Sequence, residues 1–312
     1  LAFSTVLRIV NLHRAQLAGL AEIRGVGRLR PLYEEARADL ERKLRRAVRA
    51  GRGDTFGAHH LRLVLAQVAD ACRAVQDDVY ERLEDTGAVA ARLAPRQHLA
   101  ALEALQEHFK GATPVLQARE AAVFQYGFGR GAMPASLLDR FRASSRLYGP
   151  ETIRRVRDQL SLSMLQGEGV DDAVDRVAGT DGVFAAQRWR AERIVRTETA
   201  HAVGVSGQRA LTQLAQAVPK LQKRLVATRD DREGEDSKEL DGQIVDVDQP
   251  FVWVVKNAAG VSTGKVVRYM APPNRPNDRE VVIPWRADWP ASPLLDSGGE
   301  VAPTTRGLPP PA

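Results

Sequence analysis

The chain has 312 residues, 44% of them hydrophobic and 27% charged, with a formal net charge of +6. That length can bury a real core and suggests two domains or one with an appendage, while no apolar run approaches the roughly 18–20 residues a membrane span requires. A single cysteine, Cys72, excludes an internal disulfide framework and a cysteine-based zinc site, and the mild positive charge is compatible with nucleic acid or an acidic partner without selecting either.

The opening "LAFSTVLRIV" makes a poor targeting signal. Helical periodicity then dominates residues 1–215. In "PLYEEARADLERKLRRAVRAG", Leu32, Ala36, Leu40, Leu44 and Ala47 recur at helical spacing. Pro31 is expected in the first turn and Gly51 at the stop. A second helix is expected from about His59 to Leu83, with Val68, Cys72, Val75 and Val79 on its apolar side and Cys72 as a buried, inert thiol. New helices are expected to start at Pro95 and Pro114. After the glycine-rich "YGFGRGAMP", read as a hinge because it lacks the lysine and hydroxyl of a P-loop, "PASLLDRFRASSRLYG" and "PETIRRVRDQLSLSMLQG" each open with proline and close with glycine. "GVDDAVDRVAG" and "FAAQRWRAERIVRTETAHAVGVSGQRAL" complete the helical part.

From about Leu225 the period changes to short β-branched runs separated by turn residues, in "GQIVDVDQPFVWVV", "GKVVRYM" and "EVVIPW". After Trp289 the chain is rich in Pro, Gly and Ser and has little to bury. The expected fold is therefore α+β. It comprises a mainly α-helical body at 1–215, a small mixed α/β module at 216–290 and an extended or flexible Pro-rich tail at 291–312.

Few side-chain patterns carry chemistry. The six histidines include the neighbours His59 and His60 and the distant His98 and His108, with no metal-binding spacing, so surface or capping roles are expected. The cluster Asp230, Asp231, Glu233, Glu235 and Asp236 lacks the spacing of a calcium loop and is neutralised by Arg229, Arg232 and Lys238. Arg42, Arg45, Arg46 and Arg49 share one helical face. That face suits phosphates or an acidic partner, and equally a solvated surface paired with Glu34, Glu35, Asp39 and Glu41. In "RTET", Arg196 and Glu198 are read as ties between their helix and the module that follows, Arg offering five fixed donors. Trp253, Trp285 and Trp289 are read as core or interface anchors.

Three segments, "AERIVRTETAHAVGVSGQRAL", "TRDDREGEDSKELDG" and "PPNRPNDREVVIP", taken in that order, resemble the minor head protein family of tailed phages, typified by the Mu F protein and often called head morphogenesis proteins. The first is similar to the family's helix bearing Arg-Thr-Glu, the second to its Asp-x-Arg stretch leading to Leu-Asp-Gly, and the third to a late loop that in relatives reads His-Pro-Asn-Cys-Arg-Cys. This chain departs from that pattern: it has Ser237 in the second segment and Arg275, Pro276, Asn277, Asp278, Arg279 and Glu280 in the third. Every soft zinc ligand is thus replaced, and the expectation is no metal. Charge-assisted hydrogen bonds from Arg275 or Arg279 to Asp231, Asp236 or Asp241 would close the module instead.

The resemblance implies a structural protein rather than an enzyme. It would sit inside the virion head at the portal vertex, serve head assembly and DNA packaging or ejection, and need no cofactor. Its implied partners are the portal protein, with the major capsid protein and packaged double-stranded DNA as further ones, and no membrane. The motif residues it implicates are Arg196, Thr197, Glu198, Asp231, Arg232, Leu240, Asp241, Gly242, Pro276, Asn277, Asp278 and Arg279. Gly242 is expected to supply the positive φ of an Asp-Gly turn. The alternative is an enzyme, a nuclease or ADP-ribosyl transferase, using Arg196, Glu198 and the 230–236 acidic cluster.

Overall fold

The computed structural model describes residues 2–49, 58–109, 135–227, 234–257, 259–276 and 278–289. The helix expected from Pro114, the glycine loop at 126–134 and the tail at 291–312 lie outside them. So do Asp230, Asp231, Arg232, Glu233 and Asn277. The fold is α+β, a long helical body with a small antiparallel sheet region in its C-terminal part.

Helix α1 (Ala2–Ala18) runs through a π-helical segment (Gly19–Val26) into α2 (Gly27–Arg49). Pro31 therefore lies inside a continuous helical run, not in a first turn as its sequence position suggests. Gly27 closes the widened turn, where a Cβ would stand 3.1 Å from the Glu22 carbonyl oxygen. Helix α3 (Ala58–His108) likewise continues through Pro95, at which a new helix was expected. The small buried residues Ala90, Ala91, Ala94 and Ala101 flank that proline, and burial on both sides outweighs the one backbone hydrogen bond the ring removes.

Four shorter helices follow: α4 (Ala135–Arg146), α5 (Tyr148–Gln166), α6 (Val170–Ala178) and α7 (Val183–Ala186). Gly149 sits in the first turn of α5 rather than ending α4. A Cβ there would displace the Gln76 amide, which donates to the Arg146 carbonyl at 3.2 Å. Gly167, at φ 63°, ends α5 as a left-handed cap, with the Glu168 amide returning to the Ser163 carbonyl. The long α8 (Arg188–Ala217) completes the helices of the body.

Strand β1 (Leu221–Val226) begins a few residues before the expected change of period and is central in an antiparallel three-stranded sheet, β2 (Ile244–Asp246), β1, β5 (Val281–Arg286). Pro284 pairs with Lys223 on the edge strand β5, where a missing donor is tolerated. The short α9 (Glu235–Leu240) precedes β2. Strands β3 (Phe251–Lys256) and β4 (Ser262–Tyr269) form a separate hairpin.

The chain divides into two compact units, each assembled from separate stretches of sequence. One comprises Leu1–Ala21, Gly87–Met133 and Thr199–Ala312; the other comprises Glu22–Thr86 and Pro134–Glu198. In the second, α2 and α3 bury Leu29, Tyr33, Leu40, Leu44, Val68, Cys72, Val75, Val79 and Leu83. Burial pushes the Cys72 thiol up to about 12, as befits an inert core cysteine.

In the first unit, Ile9 and Val10 of α1, Leu102 and Leu105 of α3, Leu211 and Leu214 of α8 and the sheet residues Ile283 and Trp285 share one core. Trp285 is fully buried, edge-on to Phe109 at 5.7 Å and to Trp289 at 5.5 Å, with the Arg224 guanidinium 4.9 Å from its ring. Trp285→Ala is expected to lower the stability of this unit by about 3–5 kcal/mol through lost contacts and a residual cavity, read as a shifted midpoint in urea unfolding.

Candidate functional site

The late proline loop and the acidic stretch meet in the first unit. The Arg275 guanidinium pairs with Asp236 and donates to the Ser237 hydroxyl at 2.7 Å. The Asn274 amide group donates to the other Asp236 oxygen at 3.0 Å. Gly234 is required beside them, because a Cβ would fall on the Arg275 guanidinium. Within the loop, Asp278 accepts from the backbone amides of Asn274 at 3.0 Å and Glu280 at 3.2 Å. The Tyr269 hydroxyl donates to Glu280 at 2.9 Å, tying the loop to β4. The expected pairing between the two segments is thus present as Arg275 with Asp236, on a carboxylate that is itself buried.

Helix α8 forms the third side. Gly204 packs so closely on the loop that a Cβ would overlap the Pro272 carbonyl oxygen, and Ala271 lies against the same turn. The turn after α9 is held by Asp241, which accepts the Ala227 amide at 2.9 Å, and by Gly242, whose φ of 82° meets the Asp-Gly expectation. Leu240 is buried with Leu225 and Phe251. Pro276 is exposed and Arg279 half-buried.

Three carboxylates, Asp236, Asp278 and Glu280, are therefore buried around one arginine. Burial, the neighbouring Asp278 charge and Asp236 push Glu280 up to about 7, against the hydrogen bonds from Ser237 and Tyr269. Asp278 is raised as well, again chiefly by burial. Both carboxylates line a cavity of about 50 Å³ with His13, His98, Gln97, Gln208 and the Ala271–Pro273 turn. Among the described residues, His98 Nδ1 and Glu280 Oε1 have no hydrogen-bond partner.

The histidines correct the sequence reading. His13 and His98 are not surface residues but a buried edge-to-face pair, 5.9 Å between centroids. Burial lowers His13 to about 4, partly offset by its bond with the Gln97 carbonyl. It lowers His98 to about 3, with His13 adding to the effect. The His108 side chain lies outside the described residues.

Lys223 is a second buried group that sequence reasoning missed. Its ammonium donates to Gln208 at 2.9 Å and to the Met270 carbonyl at 2.7 Å, and lies 5.1 Å from the Phe251 ring. Burial lowers it to about 8, with Asp248 opposing. A lysine in an alternating strand gives one signal, its place on the same strand face as Leu221 and Leu225. His13 and His98 give none, because only the fold brings them together.

Arg196 and Glu198 do not reach forward to the sheet module. Arg196 binds Glu22 at 2.5 and 3.2 Å and Glu192 at 3.0 Å. Glu198, buried, takes a two-pronged bond from Arg140 at 2.6 and 3.1 Å and a third from Ser144 at 3.0 Å. These partners all belong to the second unit, so the ties secure α8 to helical segments preceding it in sequence. Thr197 sits between them, its hydroxyl without a hydrogen-bond partner among the described residues.

The basic face of α2 is occupied largely by carboxylates. Arg42 and Lys43 share Asp39, and Arg45 bonds Glu41 at 3.1 Å, Asp171 at 3.3 Å and Asp175. Arg46 is exposed, and the Arg49 side chain lies outside the described residues. Among the described residues no group of three or more His, Cys, Asp or Glu side chains is disposed to hold a metal ion, and no helix is long and apolar enough to cross a membrane.

No protein-family model, curated protein or solved structure matches this chain. The groups gathered around Arg275 form a clasp suited to locking a loop: Asp236 and Glu280 are engaged by donors from other segments, and Asp278 by backbone amides of the loop itself.

Two measurements follow. Asp236→Asn should cost about 2 kcal/mol by leaving Arg275 without its charge partner, and a double-mutant cycle with Arg275→Met should give a coupling of about 1 kcal/mol or more. The pH dependence has a defined sign. Glu280 is raised, so its contribution is present below its ordinary value of 4.5 and lost as pH climbs through 7. The two histidines are depressed, so theirs is present above 6.5 and lost as pH falls through 4 and 3. Glu280→Gln should therefore melt progressively higher than wild type from about pH 5 to pH 8, while retaining the Tyr269 bond; a constant melting difference across that range would contradict the assignment.

Proposed function

We propose that the chain is a minor head protein of a tailed phage, a structural component acting inside the head at the portal vertex. The observation that supports this reading is the convergence of the three segments carrying the family resemblance. Gly204 of the first packs on Pro272 of the third, and Asp236 and Ser237 of the second hold Arg275 and Asn274 of the third. Segments far apart in the chain thus form one cross-tied element, as a shared family architecture requires. In relatives with cysteine and histidine at these places, a metal would supply the cross-tie. Here an arginine–carboxylate pair and amide donors serve, giving the same constraint by directional hydrogen bonds.

In this reading the protein works by shape rather than turnover. A loop locked on three sides presents a rigid edge to a partner, and rigidity lowers the ordering cost of association. The partner is the portal ring, with the major capsid protein and packaged DNA as neighbours. Co-expression with a ring-forming portal protein should give a stoichiometric complex in size-exclusion chromatography with light scattering, and mass spectrometry should find the chain in purified DNA-filled particles. A chain that stays off portal rings throughout assembly and is missing from filled heads overturns the proposal.

A further inference from the structure

The α2 arginines expected to meet phosphate are mostly spent on carboxylates of their own unit, whereas a second arginine group in that unit outnumbers the carboxylates it pairs with. On α5, Arg154 and Arg155 bind Glu151 at 2.6 and 2.9 Å, and at the start of α8 Arg190 approaches the same carboxylate at 3.8 Å. Arg154 also touches Asp158 at 3.1 Å. Beside them Trp189 is 45% exposed. The Arg193 guanidinium stands 4.7 Å from its ring centroid and that of Arg190 5.7 Å. Arg193 makes no ion pair among the described residues. Four arginines thus share two carboxylates, leaving an excess of two positive charges on one face.

We infer that this face, formed by Arg154, Arg155, Trp189, Arg190 and Arg193, is a contact surface for the phosphate backbone of double-stranded DNA. Three features select that partner. Positive charge in excess of local carboxylates gains from releasing the counterions condensed on a duplex. The planar guanidinium fork matches phosphate oxygens in a way an ammonium does not. The Trp189 ring lies against the Arg193 guanidinium, 4.7 Å from its centroid, which reduces the ordering required on binding. Burial chiefly lowers Arg190; Glu151 opposes it, and the like charges of Arg193 and Arg155 add to the lowering.

The inference rests on the proposed function only for the source of the duplex, and its test needs neither head nor portal. The full chain is titrated with a ~30-bp duplex by fluorescence anisotropy across salt from about 50 to about 200 mM, where log affinity should fall linearly with log salt. Arg155→Gln and Arg193→Gln should each weaken binding and reduce that slope by about 1. Trp189→Ala, which removes no charge, should weaken binding about threefold or more with the slope unchanged, separating positioning from charge. Arg46→Gln on α2 should change neither.

Equal slopes for wild type and the two arginine variants overturn the inference, as does an absence of duplex binding. Polyglutamate bound as tightly as duplex, with the same variant response, would overturn it in favour of an acidic protein partner. Duplex binding without portal association sinks the family reading and leaves this surface standing; portal association without duplex binding does the reverse.

Discussion

The small module depends on a buried carboxylate that cannot be left alone. Asp236 is removed from water, and an unpaired ion in that position would cost several kcal/mol. Its partners come from a loop some forty residues away in sequence, Asn274 and Arg275, so satisfying one charge fixes where that loop must lie. The rest follows in order. The loop turns under Gly204 of α8, Asp278 organises its backbone, and Glu280 leads directly into the edge strand of the sheet. A single electrostatic requirement thereby orients a helix, a loop and a strand.

The same crowding of carboxylates has a second face. Burial first, and the neighbouring acid charges after it, make Glu280 and Asp278 hold their protons more tightly than exposed carboxylates do. Across the same cavity, His13 and His98 resist taking protons up. On both sides of the cavity burial thus works against the charged form, raising the acids and lowering the imidazoles.

Local sequence carried much of this. The Asp-Gly turn at Gly242, the change to β-branched runs and the buried role of Trp285 were legible, because each rests on residue type and short-range spacing; the link between the proline loop and the acidic stretch was implied only by the family resemblance. Other features were not. Pro31 and Pro95 read as helix starts, since nothing local reveals that packing will carry a helix through a proline. Arg196 and Glu198 read as ties to the module after them, yet their partners Glu22 and Arg140 precede them. His13 and His98 are separated by most of α1, α2 and α3, and no periodicity announces their meeting. A reading along the chain also treats domains as consecutive blocks, whereas these two units interleave along it.

The β3–β4 hairpin carries a consequence of its own. Among the described residues these strands pair only with each other; the Gln243 side chain takes up both backbone groups of Val252 on β3, β4 presents its outer row of backbone groups, and Val254 and Val266 face one another with both side chains exposed. Such an edge invites further strands and, at high local concentration, runaway stacking of copies. The hairpin carries its own safeguards: the register breaks between Val254 and Lys256, and Lys265 and Arg268 stud β4 with like charge, while Lys256 pairs with Glu239 at 2.8 Å. A bulge spoils the flat template and the cations repel an incoming copy. The resistance of this hairpin to strand stacking thus rests on one irregular pairing and on two basic residues of β4, the same strand that ties the loop through Tyr269.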